Sequence, residues 1–391
     1  MLNSYRTLNK LDRVFYINFL LIFFLASFTV ISLIKIYADS LSFGFDLMEI
    51  AWKPGRELMS TGSLDINYPY PIWTVIIMMP FALLPSDTAS IIWLVLNLLF
   101  LSFSIAAFVA FFDLNKSPII TSIAISFSLF YIPVLHGLGL GQLTFFLLFI
   151  LVLVFQFFLN GKWNCLGITL GLSFLKPQVL VLPVALILLW ALWNKKWATL
   201  ISFSATITFL FLISMPFVDS PWQIIGGGIG NHILIYINNS STLWGMLMGL
   251  GLPLFIPLSL CIVILVLVFL LWLSYIKNKT TDTDRLAFLT SISVVANLII
   301  LPYGWSHNFI LLLFPFWNLL YLIRKTNIYS QVYWMFTIFG IICPLTIVVT
   351  NFIIKENLEV IPPILLMLLI VLITTKFKVE EDKNAQHTIS R

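Results

Sequence analysis

Residues 253–275 read PLFIPLSLCIVILVLVFLLWLSY and contain no charged side chain. As an α-helix this run would rise about 35 Å, enough to cross the roughly 30 Å hydrocarbon core of a bilayer. Similar runs recur along all 391 residues, of which 60% are hydrophobic and only 9% are charged. A soluble domain usually carries about 25% charged residues. Because lipid offers the backbone no hydrogen-bond partners, the sequence predicts an all-α polytopic membrane protein.

The apolar runs fix the expected topology, and they lie at 14–37, 71–84, 88–112, 118–135, 142–159, 163–175, 178–193, 197–218, 253–275, 285–303, 306–323, 329–350 and 359–375. The run at 71–84 would rise only about 21 Å as a helix, which is short for a crossing. If it stays near the interface, 16 of the 21 Lys and Arg fall in cytoplasmic segments, as the positive-inside rule requires. We therefore expect about twelve transmembrane helices, cytoplasmic termini and an in-plane or re-entrant segment after the first outer loop.

In this topology one transmembrane domain covers residues 1–375, and a charged cytoplasmic tail covers 376–391. The outer loop at 38–85 would carry juxtamembrane helices. Three of the four histidines then lie on the non-cytoplasmic face, together with most of the other polar side chains that could take part in catalysis or binding. No Asp or Glu lies in the middle of a predicted crossing, whereas ion-coupled transporters usually bury one there. The chemistry is therefore expected at one surface.

The first outer loop contains Gly44-Phe45-Asp46-Leu47-Met48-Glu49, and charged residues recur from Asp46 to Glu57 at about helical spacing. This pattern is typical of a helix lying along the membrane surface, kinked at Pro54-Gly55. Most of these charges, Arg56 among them, fit a solvated amphipathic connector equally well. Asp46 opens the helix at the lipid boundary, where it could act as a general base toward a substrate hydroxyl.

Lys176-Pro177 follows the segment 163–175, which as a helix would rise only about 20 Å. Lys176 should therefore be recessed below the outer surface, where an unpaired ammonium costs up to about 3 kcal/mol. An anionic partner such as a lipid phosphate would stabilise it. The alternative is that the side chain extends to the interface and meets water there.

Two further turns are expected on the same face. Pro302-Tyr303-Gly304-Trp305-Ser306-His307-Asn308 begins a new helix, whose free amides and His307 would favour an anion. Aromatic anchoring at the interface explains this turn equally well. His136-Gly137-Leu138-Gly139-Leu140-Gly141-Gln142 predicts a glycine-rich turn that could let the backbone approach a substrate, or that simply connects two helices.

Other features indicate no separate activity. The net charge of +5 comes from basic residues dispersed among short loops, so no nucleic-acid partner is expected. Asp282-Thr283-Asp284 is similar to the metal-binding carboxylate pair of nucleotide-sugar transferases, but it lies in a basic cytoplasmic loop and is interpreted as solvated. No set of metal-ligating residues is apparent, so no metal and no cofactor is expected.

Taken in order, several short motifs resemble glycosyltransferase family 87, over roughly residues 40–310. They are Asp46-Leu47, Gly55-Arg56-Glu57-Leu58-Met59, Gly62, Tyr68-Pro69-Tyr70-Pro71, Pro80, Leu84-Pro85, Trp93, Gly141-Gln142, Lys176-Pro177 and Trp305-Ser306-His307. The chain departs from the family pattern where Tyr70 separates two prolines, where Leu47 replaces an aromatic residue, and where Asn308 replaces a second histidine. The family is typified by polyprenyl-phosphate-mannose-dependent α-1,2-mannosyltransferases.

The resemblance implies a GT-C-type glycosyltransferase fold and a polyprenyl-phosphate sugar as donor substrate, used outside the cytoplasm at the cell membrane. Mannose or another hexose or pentose would pass to a hydroxyl of a glycan or glycolipid acceptor, with inversion and with Asp46 as base. The residues expected to bind substrate are Lys176, His307, Arg56, Gln142, His136, Tyr70 and Trp305. Two alternatives stay open: a non-catalytic transporter or flippase of a lipid-linked glycan, and an O-antigen ligase or polymerase that would release a diphosphate lipid.

Overall fold

A computed structural model describes residues 43–64, 68–112, 114, 118–218, 220–225, 229–277, 283–326, 342 and 360–371. This part of the chain consists of helices and the turns between them, and it contains no strand. The predicted first crossing at 14–37, most of the run at 329–350 and the tail at 376–391 lie outside the described residues. An all-helical architecture is therefore confirmed for the part that the structure describes.

The α-helices follow one another through short turns. The first nine are α1 Phe45–Leu47, α2 Lys53–Thr61, α3 Ile72–Ala82, α4 Ser86–Phe111, α5 Pro118–Phe130, α6 Ile132–Leu140, α7 Thr144–Leu159, α8 Trp163–Leu172 and α9 Val181–Trp193. The others are α10 Trp197–Ser214, α11 Pro221–Ile224, α12 Ile229–Tyr236, α13 Leu243–Gly249, α14 Phe255–Lys277, α15 Thr283–Ile300, α16 Leu313–Thr326 and α17 Ile361–Val371. A π-helical segment, Met48–Trp52, joins α1 to α2, and a 3-10 helix, Ser306–Leu312, leads into α16.

Four helices of the described residues are long and apolar enough to cross a membrane: Ser86–Phe111, Trp197–Phe217, Phe255–Ile276 and Thr283–Ile300. The bent pair formed by Ile120–Phe130 and Ile132–Leu140, which meet at 44°, would make a fifth span. Several other apolar helices have only 10–17 residues, and among them is α3. The chain is therefore a polytopic membrane protein, and twelve crossings stay a prediction.

Burial separates central helices from those that face lipid. In α15, 72% of the apolar window is buried inside the protein, against 11% for the span that begins with α10. Helix α7 is also central, because Phe145, Leu147 and Leu148 are completely buried. Apolar side chains exposed along α10 and α14 would meet lipid tails, which are as apolar as they are. The core thus lies around α7, α15 and α16.

Asp284 lies in the first turn of α15. Asp284 accepts a hydrogen bond from the Tyr321 hydroxyl at 2.8 Å and forms an ion pair with Lys325. Asp284 was expected to be solvated. That interpretation is wrong, because these two contacts of Asp284 join α15 to α16. Asp282 lies outside the described residues.

Candidate active site

A left-handed glycine fixes the helix that carries Asp46. Gly44 has φ 77° and precedes α1, and its N–H donates to the carbonyl of Gly139 at the end of α6, at 2.9 Å. A Cβ at Gly44 would lie 2.6 Å from Oγ of Ser90, so a larger residue would have to displace α4. Both the backbone conformation and the close approach therefore require glycine. Asp46 follows in the first turn, against the end of α6.

Gly141 brings the second partner to the same place. It also has a left-handed backbone, with φ 73°, and its ideal Cβ position lies 3.3 Å from Cα of Gly44 and from Cβ of Leu47. The carbonyl of Gly141 accepts from Nε1 of Trp93 at 2.8 Å. Gln142 follows directly and so lies beside the Asp46 helix. The expected glycine-rich turn is shorter than predicted, because His136 to Leu140 are helical and the chain turns at Gly141.

Pro54 changes the helix without breaking it. The predicted kink at Pro54-Gly55 is replaced by the π-helical segment directly before α2, and Pro54 lies in the first turn of α2. Proline cannot donate a backbone hydrogen bond, and the carbonyl of Ile50, four residues earlier, accepts from the Tyr68 hydroxyl at 2.5 Å. This contact holds Tyr68, and with it the neighbouring Tyr70, against the π-helical segment that follows α1.

Lys176 lies at a break between helices, as the proline after it predicts. The short helix α3 holds this break: Nε1 of Trp73 donates to the carbonyl of Phe174 at 2.9 Å, and Oγ1 of Thr74 donates to that of Leu175 at 2.7 Å. Only 3% of Lys176 is exposed. Its side chain therefore does not extend to water, and the alternative of an interfacial lysine is wrong.

Asn297, in the middle of α15, fixes the other side of the break. Its Nδ2 donates to the carbonyls of Gln178 at 3.1 Å and Val179 at 2.8 Å, and its Oδ1 accepts from the N–H of Leu182 at 3.0 Å. These carbonyls and this N–H would otherwise be buried without partners. Asn297 was not predicted to support the site, although a single Asn within an apolar run is a usable signal.

Two neutral amides surround the ammonium of Lys176. Nζ donates to Oε1 of Gln142 and to Oδ1 of Asn308, each at 3.1 Å. Thr144 donates more weakly to the same two oxygens, at 3.5 and 3.4 Å. Each of these four residues is at most 4% exposed. Nε2 of Gln142 is buried and has no hydrogen-bond partner among the described residues, so this cluster holds a cation and an unused donor.

Asp46 and Lys176 interact electrostatically in this partly buried site. Desolvation raises the pKa of Asp46 to about 6, Lys176 opposes that rise, and Glu49 adds to it. Desolvation lowers the pKa of Lys176 to about 8, and Asp46 opposes that fall. Near neutral pH the carboxylate is therefore mostly ionised and the ammonium mostly protonated, which suits a base and an anion-binding cation.

The histidines and aromatic residues predicted to bind substrate border this pair. His307, in the first turn of Ser306–Leu312, interacts electrostatically with Lys176, and its ring lies 6.3 Å from that of His136. Tyr70 and Tyr303 interact electrostatically with Asp46. Nε1 of Trp305 donates to the Tyr303 hydroxyl at 2.6 Å. The aromatic side chains thus lie on the Asp46 side of the site.

Arg56 does not join the cluster. Its exposed guanidinium lies 4.8 Å from the centre of the Trp52 ring and donates weakly, at 3.5 Å, to the carbonyl of Leu84. It follows Asp46 by ten residues, about 15 Å along a helix. These contacts give no support to the prediction that Arg56 binds the leaving group. Among the described residues, no group of three or more His, Cys, Asp and Glu could hold a metal ion.

The sequence model of glycosyltransferase family 87 matches residues 68–302, which is 60% of the chain. The matched part includes Tyr70, Gln142 and Lys176, whereas Asp46 and His307 lie just outside it. No curated protein matches the chain significantly.

Proposed function

The chain belongs to glycosyltransferase family 87 and is a membrane glycosyltransferase; on that premise we propose that it transfers a sugar from a polyprenyl phosphate to an acceptor hydroxyl. The proposal includes inversion at the anomeric carbon and an active site on the non-cytoplasmic face of the cell membrane. Twelve crossings and cytoplasmic termini, which the distribution of Lys and Arg favours, belong to the same proposal.

The pairing of Asp46 with Lys176 carries this proposal. A carboxylate with its pKa near 6 is basic enough to accept a proton from a hydroxyl group during attack. A buried ammonium that is held by two neutral amide oxygens keeps its full charge for an incoming anion. A phosphate diester that leaves as a monoester anion needs this kind of electrostatic stabilisation and no general acid.

The reaction then follows in one displacement. The acceptor hydroxyl gives its proton to Asp46, and its oxygen forms a bond to the anomeric carbon. The bond from that carbon to the phosphate oxygen breaks on the opposite side, and its electron pair leaves with polyprenyl phosphate. Lys176 and Nε2 of Gln142 bind the phosphate oxygens, and His307 helps to bind the same anion beside them.

The remaining predicted residues take supporting positions. Tyr70, His136 and Trp305 would contact sugar or acceptor, which agrees with their place around the charged pair. Arg56 is left out of the phosphate site because of its contacts with Trp52 and Leu84. The proposal needs no metal, because Lys176 supplies the positive charge on the leaving-group side. A glycan or glycolipid acceptor is expected.

Asp46→Asn tests the proposal in the purified full-length protein. Radiolabelled polyprenyl-phosphate mannose, glucose and galactose would serve as donors, with octyl glycosides of the same sugars as acceptors. Loss of the base should lower kcat by about 10²- to 10⁴-fold. Glu49→Gln is the matched control, because Glu49 lies on the same helical stretch but pairs with Lys53, and it should retain turnover.

Near-wild-type turnover of Asp46→Asn would remove Asp46 from the mechanism. The carrier alternative makes a different prediction: labelled lipid would cross proteoliposome membranes at equal rates in both proteins, without a glycoside product. Release of a diphosphate lipid during turnover would instead favour the ligase or polymerase alternative.

A further inference from the structure

Two turns with nearly the same sequence lie side by side where α8 and α10 begin. Residues 160–163 read NGKW, and residues 194–197 read NKKW. In each turn the Asn ends a helix, the next residue has a left-handed backbone, and the Trp begins the following helix. Oγ1 of Thr199 donates to the carbonyl of Trp163 at 3.0 Å, which holds the two turns together. The lysines that they present are Lys162, Lys195 and Lys196.

The second turn carries an extra cation at a strained position. Gly161 has φ 65°, and Lys195 has the equivalent φ of 55° in the other turn. Lys195 is the one non-glycine residue with a positive φ in the part of the chain that the structure describes. Glycine adopts this backbone conformation at a lower cost than lysine does. The strain at Lys195 therefore accompanies a third positive charge at this place.

No acidic side chain balances these charges. Within the described ranges, none of the three lysines forms an ion pair. Nζ of Lys196 lies 4.4 Å from the centre of the Trp163 ring, whereas Lys162 and Lys195 are exposed. Positive charges on adjacent turns repel one another. An anion bound among them would remove this repulsion, and the charge of the surface therefore indicates an anionic partner.

A shallow apolar groove of about 680 Å³ begins at the second turn and follows α10. Trp197 lies at its start, and positions at helical spacing line it as far as Leu212. This stretch of helix rises about 22 Å, more than the roughly 15 Å depth of one leaflet of the hydrocarbon core. Only 11% of this span is buried, so the groove faces lipid. Trp193 and Trp197 are 58% and 55% exposed, and exposed tryptophans are typical of the level of the lipid headgroups.

We propose that this surface binds an anionic phospholipid, with its phosphate among the three lysines and an acyl chain in the groove along α10. One amphiphilic molecule meets both features, because the groove starts where the lysines are. A further apolar helix could cover the groove but would leave the charges unbalanced. The acidic stretch at 380–382 could balance the charges but is too short to fill the groove.

This lipid site is separate from the candidate active site. The lysines lie at the start of α8, whereas Lys176 follows the end of that helix, 13 residues after Trp163. That separation is about 20 Å along a helix. The inference therefore does not depend on the proposed function. The distribution of Lys and Arg predicts that the lysine end is cytoplasmic, which is the side where anionic lipids attract basic segments.

Dioleoyl-phosphatidylglycerol and dioleoyl-phosphatidylcholine test the site with the purified full-length protein in a non-ionic detergent. They share acyl chains and differ in charge. Native mass spectrometry should show at least about ten-fold tighter binding of phosphatidylglycerol by the wild type. This lipid should also raise Tm, because it binds the folded state. Combining Lys162→Gln, Lys195→Gln and Lys196→Gln should weaken its binding by at least about ten-fold, because each basic residue near an anionic lipid contributes about five-fold.

Two matched controls separate a specific site from general effects of charge and size. Combining Lys376→Gln, Lys378→Gln and Lys383→Gln removes the same charge from the C-terminal tail and should leave the affinity for phosphatidylglycerol unchanged. Ser204→Phe fills the groove and should weaken binding by about ten-fold, because the acyl chain loses contacts of at least two methylene groups. Ser259→Phe makes the same change on the exposed surface of α14 and should have no such effect.

Equal affinity of the wild type for the two lipids would overturn the headgroup assignment, even if a variant failed to fold. Unchanged binding in a folded protein without the three lysines would also overturn it, and so would equal losses in the two triple variants. Equal effects of Ser204→Phe and Ser259→Phe would exclude the groove. Binding of phosphatidylglycerol only after removal of residues 376–391 would show that the tail occupies this surface instead, and would refute the proposal.

Discussion

Replacing Asn308 with leucine should move the alkaline limb of the pH–activity profile to lower pH. Oδ1 of Asn308 accepts from Nζ of Lys176 at 3.1 Å, and both residues are almost completely buried. A hydrogen bond to a charged group contributes about 1.5–3 kcal/mol, and 1.36 kcal/mol corresponds to about one pKa unit. The bond stabilises the protonated form, so its loss lowers the pKa of Lys176 further. From its value of about 8, the pKa should fall by about one to two units.

The assay is kcat/KM for the preferred polyprenyl-phosphate donor between pH 5 and 9. In the wild type, activity should rise as Asp46 ionises around pH 6 and fall as Lys176 loses its proton around pH 8. In Asn308→Leu the falling limb should begin about one to two pH units earlier. At pH 7 this variant should therefore be slow, and acidification should partly restore its activity.

Asn318→Leu is the matched control for this experiment. Asn318 is also buried, lies ten residues further along in α16, and donates from Nδ2 to Ala287 at 3.3 Å and to Ser291 at 2.7 Å. Its replacement should lower Tm but leave both limbs of the profile in place. If Asn308→Leu folds normally and its alkaline limb stays at the wild-type pH, then Asn308 does not stabilise the protonated form of Lys176, and the assignment is refuted.

Two further substitutions test the supports of the site. Gly141→Ala should destabilise the protein by about 1–2 kcal/mol through its left-handed backbone and also lower kcat, because its Cβ would press on Gly44. Gly62→Ala has the same backbone strain, but no atom of the described residues lies within 4 Å of its added Cβ. It should therefore lose similar stability, measured as Tm, but keep its kcat; equal losses of kcat would contradict this reasoning. Asn297→Leu removes three hydrogen bonds around the break at Lys176 and should destabilise by about 3 kcal/mol. Its kcat/KM should fall more than that of Asn318→Leu, and equal losses would show that the break needs no such support.

The sequence was sufficient to predict the all-helical architecture of the described residues and to single out two charged residues of the candidate site. Asp46 and Lys176 were conspicuous because charges next to apolar runs need a reason, and the structure brings them together. The resemblance to family 87 is confirmed by the match to residues 68–302. The number of crossings stays a prediction, because several apolar helices of the described part are shorter than a span.

The neutral members of the site could not be predicted in the same way. Asn297, Asn308 and Thr74 lie within or beside apolar runs, where one polar residue can equally well bond within its own helix. Their partners lie 101 to 132 positions away along the chain, so only the packing of the helices identifies them. Arg56 shows the opposite difficulty. Its helical spacing from Asp46 suggested a shared site, but spacing cannot tell which neighbours a long side chain will contact.

The choice of neutral partners for Lys176 has a functional consequence. A carboxylate in direct contact would stabilise the buried ammonium strongly, but it would also cancel the charge that a phosphate has to meet. Amide oxygens from Gln142 and Asn308 stabilise the cation less, and accordingly burial lowers its pKa to about 8. Binding of an anionic donor then restores the missing stabilisation, so the pKa of Lys176 should rise in the complex. The alkaline limb of kcat, which reports the bound enzyme, should therefore lie above that of kcat/KM, which reports the free enzyme. Coincident limbs would mean that Lys176 does not meet the donor's charge.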